Sequence, residues 1–163
     1  MAGTGTVASA CALQGDGAVI FVTVGTTHFD PLIREIDALI GAGKIRDRVV
    51  CQIGAGTYVP SHAEHFRFQP SIDDWIEQAD LVICHGGATV MSLLQKRKRF
   101  VAIANTVLAG DHQTAFLSRL AKSVGFSWSW EVRDVGQLME AALIQPAPGI
   151  NLPHLADELR CRV

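Results

Sequence analysis

Four runs of this 163-residue chain are apolar and rich in β-branched residues, and each stops at glycine or a polar loop: AVIFVTV (18–24), RVVCQI (48–53), DLVIC (80–84) and RFVAIA (99–104). Strands without polar alternation must be covered on both faces, so these runs predict a parallel sheet with helices on either side. The segments between them supply the helices. DPLIREIDALIGAG places Leu32, Ile33, Ile36, Leu39 and Ile40 on one stripe, with Asp30 positioned to cap, Pro31 suited to the first turn, and an end expected near Gly41 or Gly43. SIDDWIEQ (71–78) opens with Ser71 and Asp74 in capping-box-like spacing. Gly87 to Gln95 reads as helical, DHQTAFLSRLAKSV (111–124) as an amphipathic helix capped by Asp111, and DVGQLMEAALI (134–144) as the last helix. HFRF (65–68) and FSWSW (126–130) alternate like two further, shorter strands.

The expected architecture is therefore α/β: a three-layer, Rossmann-like domain over residues 18–145 with a mostly parallel six-stranded sheet. Residues 1–17 lack the basic and continuously apolar regions of a signal peptide and are read as a flexible tail. Residues 146–163 form a carboxyl-terminal tail in which LPHLADELR suits one short helix. A net charge of -2 argues against a general nucleic-acid surface, and any polyanion site must be local. Cys11, Cys51, Cys84 and Cys161 form no CxxC pair, so neither a metal nor a disulfide framework is expected, and the compartment is read as reducing. No run reaches the roughly eighteen apolar residues of a membrane span.

Ligands of such sheets sit beyond the carboxyl ends of the strands. Four strand ends carry glycine-rich or polar loops: GTTH (25–28), GAGT (54–57), HGGAT (85–89) and NTVLAGDHQ (105–113). Gly86 and Gly87 let backbone approach a ligand, and the first amides of the next helix are donors at the positive end of its dipole, a natural phosphate seat. The same residues serve equally as a tight turn beside a structural histidine. Thr26, Thr27 and His28 surround a second amide-rich turn; no Gly-Lys-Ser/Thr follows it, and GAGTYV lacks a dinucleotide fingerprint and reads as an ordinary loop. KRKR (96–99) reads as a solvated helix end, with a membrane-facing basic patch as the sharper alternative. The tryptophans Trp75, Trp128 and Trp130 are read as core or interface anchors.

Taken in order, VTVGTTHFDPLI, CQIGAG, FRFQPSIDDWIEQADLVICHGGAT and NTVLAGDHQTAFLSRLAK resemble the carboxyl-terminal half of a GT-B glycosyltransferase of family 28. The resemblance is strongest to the small subunits of two-component transferases, both dolichol-linked N-acetylglucosaminyltransferases and exopolysaccharide subunits of the PssE type. It implies a UDP-sugar donor, inversion at the anomeric carbon, no metal and no other cofactor. Gly25, Thr26, Thr27, His85, Gly86, Gly87, Ala88 and Thr89 would then face the phosphates and ribose, Phe68 the base, and Asp111, His112 and Gln113 the donor sugar. His28 is nominated near the reacting centre, with the general base on a partner. That partner would be a membrane-anchored subunit holding a lipid-linked saccharide, which places the chain peripherally at the cytoplasmic face of a membrane; homodimerisation is left open.

Where the family pattern runs His-x-Gly-x-x-Ser-x-x-Glu, this chain carries Val90 and Leu93 in place of the serine and glutamate, with Thr89 a stand-in for the serine alone. Three readings follow: another residue holds ribose, donor binding is weak, or catalysis is lost and the domain is a non-catalytic interaction module. A self-sufficient nucleotide-binding α/β enzyme is a further alternative.

Overall fold

The computed structural model describes residues 17–109 and 112–150. The expectations for residues 1–16, the Asp111 cap and donor-sugar contact, Cys11, Cys161 and a helix within 151–163 lie outside the described residues. Six strands, β1 (Val19–Thr23), β2 (Arg48–Gln52), β3 (Glu64–Phe66), β4 (Leu81–His85), β5 (Phe100–Ile103) and β6 (Ser127–Ser129), form one sheet in the order β3-β2-β1-β4-β5-β6. Every pairing is parallel, so the sheet is parallel throughout rather than mostly so.

Strand residues alternate between two cores. Ile20, Val22, Cys51, Ile83 and Val101 pack with α1 (Asp30–Gly41) and α6 (Val135–Ile144). Phe21, Val50, Val82, Cys84 and Ala102 pack with α2 (Asp73–Gln78), α3 (Thr89–Gln95) and α5 (His112–Val124). A short α4 (Thr106–Ala109), which the sequence pattern does not announce, follows β5. Phe21, Phe66 and Trp75 stack in the second core, with ring centroids 5.5–6.2 Å apart. Burial pushes the Cys51 thiol up strongly and that of Cys84 to about 12, so both are inert at neutral pH.

Two expected caps are not formed. α1 has no side-chain cap; Leu32, Ile33 and Ile36 are fully buried, and at about 1.5–3 kcal/mol each they outweigh the roughly 1 kcal/mol that a cap contributes. Asp30 instead reaches across to the loop after β2, its Oδ2 accepting from the Thr57 amide (3.1 Å), the Thr57 hydroxyl (2.7 Å) and the Tyr58 amide (3.1 Å). At α2 the Ser71 hydroxyl accepts from the Asp73 amide at 3.1 Å, so the local turn displaces the Ser71–Asp74 box.

Residues 53–63 join β2 to β3 without a helix. A buried acid replaces the helix as organiser: Asp37 of α1 accepts from the Tyr58 hydroxyl (2.6 Å) and from the amides of Ser61 (3.0 Å) and His62 (2.7 Å). Burial would raise its pKa, but these bonds outweigh it and hold the carboxyl below its ordinary value.

Candidate functional site

The strand order reverses between β1 and β4, and at such a switch point the following segments diverge to opposite faces and leave a crevice. The two loops at this point are GTTH and HGGAT. Gly25 adopts φ +64°, a conformation glycine tolerates, and its amide donates to the Thr23 hydroxyl at 3.1 Å. Thr23 in turn donates to Gln52 Oε1 at 2.6 Å, a buried polar pair that sequence reasoning missed. Thr26, Thr27 and His28 are exposed. The Thr27 hydroxyl is turned inward to the Val24 carbonyl at 2.9 Å.

GAGT is more than an ordinary loop. A side chain at Gly54 (φ +52°) would strike the carbonyls of Thr27 and Gly25, so this glycine lets the loop after β2 press against the loop after β1. Arg67 ties it down from the far side, donating through one nitrogen to the carbonyls of Gly54 (3.1 Å) and Gly56 (2.7 Å).

At the β4 end, His85 is half-buried and its ring fills the space beside Gly87. A Cβ at residue 87 would lie 2.6 Å from His85 Cε1, and one at residue 86 about 3.0 Å from Leu117. A side chain at residue 87 is thus excluded unless the His85 ring shifts, whereas one at residue 86 would ask Leu117 to give by a few tenths of an ångström. Ala88 is exposed and Thr89 half-buried at the start of α3. The Val90 and Met91 amides donate to the carbonyls of Gly87 (3.2 Å) and Ala88 (3.1 Å), and the Gly87 amide to that of His85 (2.8 Å). Among the described residues this leaves the Ala88 and Thr89 amides as the open donors of the turn. Burial holds the His85 pKa below its usual value. Gln113 and Asn105 join the loops: Gln113 Oε1 accepts from the amides of Gly86 (3.0 Å) and Asn105 (2.8 Å), and Asn105 Nδ2 donates to the His28 carbonyl at 2.8 Å. Asn105 is fully buried. A polar residue directly after a buried strand at this rim was its only sequence signal.

His28, His85, Gly86 and Gln113 are thus brought into one network, with Gly25 against the His85 ring. His112 is exposed at the start of α5. Phe68 is 57% exposed beyond edge strand β3, with β2 and β1 between it and β4, a span of about 14 Å. Val90 and Leu93 are fully buried in the second core. Thr89 and Ser92, half-buried, share a different face of α3.

Residues 19–128 match the glycosyltransferase family 28 C-terminal domain. The chain belongs to this family. Its curated relatives include the UDP-N-acetylglucosamine transferase subunit ALG13 of Homo sapiens, 37% identical over a 115-residue alignment, with 63% of this chain and 10% of that protein covered. The Mus musculus ALG13 is likewise 37% identical, over 116 residues. The chain spans about a tenth of the length of these relatives. Among solved structures it resembles MurG of Acinetobacter baumannii (TM-score 0.62, 18% identity, 78% of this chain and 43% of that one). It also resembles the glycosyltransferase SnogD of Streptomyces nogalater (TM-score 0.54, 19% identity, 88% and 42%). The fold is that of one half of a GT-B glycosyltransferase.

Proposed function

We propose that this chain is the donor-binding half of an inverting glycosyltransferase that moves a sugar, N-acetylglucosamine being favoured by the ALG13 relatives, from UDP to a lipid-linked saccharide. The observation that carries the reading is the pair of glycine turns at the switch point, where Gly87 leaves no room for a side chain beside His85. The diphosphate would lie over the His85 ring where the Gly25 and Gly87 turns meet, met by the Ala88 and Thr89 amides at the start of α3 and by His85 Nε2. A departing diphosphate needs its developing charge stabilised, and donors already fixed in place do so without reorganising. Phe68 would meet the base at the far end of the ligand. Thr89 and Ser92, half-buried on another face of α3, would take the ribose hydroxyls in place of the family's serine and glutamate.

The acceptor half is assigned to a separate membrane-associated subunit, which would supply the general base and hold the chain at the cytoplasmic face; among the described residues no helix is long and apolar enough to cross a membrane. His28, exposed at the rim, would lie near that junction. Calorimetric titration with UDP, UDP-N-acetylglucosamine, UDP-glucose and UDP-glucuronate tests the reading. Micromolar-to-millimolar binding is expected, with the tightest ligand naming the sugar. No heat with any of them, before or after the partner half is added, would overturn it.

A further inference from the structure

Gln113 was placed by resemblance at the donor sugar, yet the structure gives its side chain three partners within the protein. Two backbone N–H groups, from Gly86 at 3.0 Å and Asn105 at 2.8 Å, converge on one atom of its amide. Only the oxygen can accept, so the orientation of the amide follows from its neighbours. The NH2 group then faces His85 Nδ1 at 3.3 Å. An amide nitrogen offers only hydrogens, so Nδ1 must present a lone pair.

We propose that Gln113 is a positioning residue acting through His85: it holds the imidazole as the neutral Nε2–H tautomer and aims that N–H at the turn after β1. His85 Nε2 lies 3.4 Å from the point a Cβ on residue 25 would occupy, so glycine there keeps the approach to the donor open. Burial disfavours the imidazolium, which would set an N–H on Nδ1 against the N–H of Gln113. Through its oxygen Gln113 also fixes the amides of Gly86 and Asn105, and through Asn105 the carbonyl of His28. A sugar hydroxyl donating to Oε1 would be a third donor on an oxygen that already has two.

The ligand that His85 meets rests on the donor-site reading above, but the tautomer does not. Nitrogen-15 NMR of the ligand-free chain, with His85 assigned by comparison with His85→Gln, should show a protonated Nε2 and a bare Nδ1. Gln113→Glu, which sets an acceptor against Nδ1, should draw the proton there. A wild-type Nδ1–H tautomer, or a tautomer unmoved by Gln113→Glu, overturns the proposal. Titration of Gln113→Ala separates positioning from sugar contact: UDP and UDP-N-acetylglucosamine should weaken by the same factor, roughly tenfold. A loss confined to the sugar nucleotide would overturn it too. A wild-type chain with the expected tautomer that binds no UDP would instead refute the donor site and leave the positioning role standing.

Discussion

The two ends of α3 invite opposite guesses about where an anion would bind. The carboxyl-terminal end carries four consecutive cations, Lys96 to Arg99, and the amino-terminal end carries glycines and one uncharged histidine. In the fold three of the four cations already have polar partners. Lys96 pairs with Asp73 at 2.8 Å, Lys98 donates to the carbonyls of Glu77 (2.7 Å) and Ala79 (3.0 Å), and Arg99 donates to the Gln145 carbonyl at 3.0 Å. Arg97 takes a left-handed conformation, φ 52°, with its side chain packed on Gly149. Lys96, Arg97 and Arg99 are exposed, as a solvated helix end requires, and the segment is also a clasp that holds α2 and the chain after α6 to the amino-terminal edge of the sheet. Donors left unspent make an anion site; formal charge alone does not.

The largest effect should separate the two ends outright. Gly87→Asp brings both a clash with His85 and a negative charge to the turn, and should weaken UDP binding at least about a hundredfold, whereas Lys96→Ala combined with Arg97→Ala should leave it within about twofold. Equal losses in the two variants, read by calorimetry on folded protein, would erase the distinction.

Asp37 extends the comparison to an acid that is spent in the same manner as those cations. A carboxylate with a depressed folded pKa lends stability that is present above the ordinary aspartate range and lost as pH falls through the folded value. Asp37→Asn should cost about 3 kcal/mol at neutral pH, and the wild-type advantage should fade below about pH 4. Denaturant titrations at both pH values check this; a cost unchanged in acid would mean that the charge is not what holds residues 58–62.

The smallest effects concern the clasp. Burial lowers the Lys98 pKa, and its loss in Lys98→Met should cost about 1 kcal/mol of stability with UDP affinity unchanged. Lys96→Ala, which removes an ion pair with an exposed aspartate, should not move the unfolding midpoint measurably. A larger effect from Lys96 than from Lys98 would reverse the assignment of which cation the fold depends on.

The order of strands and helices was legible because burial on two faces demands unbroken apolar runs, and the register of Leu32, Ile33 and Ile36 shows one buried helical face. The glycines at 25, 86 and 87 were legible as turns. Their partners were not: nothing near Gly87 in the chain says that the His85 ring will fill the space beside it, or that Gly54 must be small because the Thr27 carbonyl lies against it. Asp30 and Ser71 satisfied the local rules for caps and went elsewhere, because both caps were dispensable once the helices had apolar faces to bury. Leu93, which by its spacing from His85 stands where the family pattern has glutamate, packs in the second core.

What the sequence by itself determined is the material of the fold: apolar strands, amphipathic helices, and glycine at the strand ends, all set by local sterics and by the free energy of burying apolar surface. Tertiary structure alone decided which strand ends meet at the switch point, which donors are consumed by the protein, and which way the amide of Gln113 faces. Those outcomes depend on hydrogen-bond partners drawn from segments as far apart in the chain as His28 and Asn105, and hydrogen bonds reward geometry that no local pattern encodes.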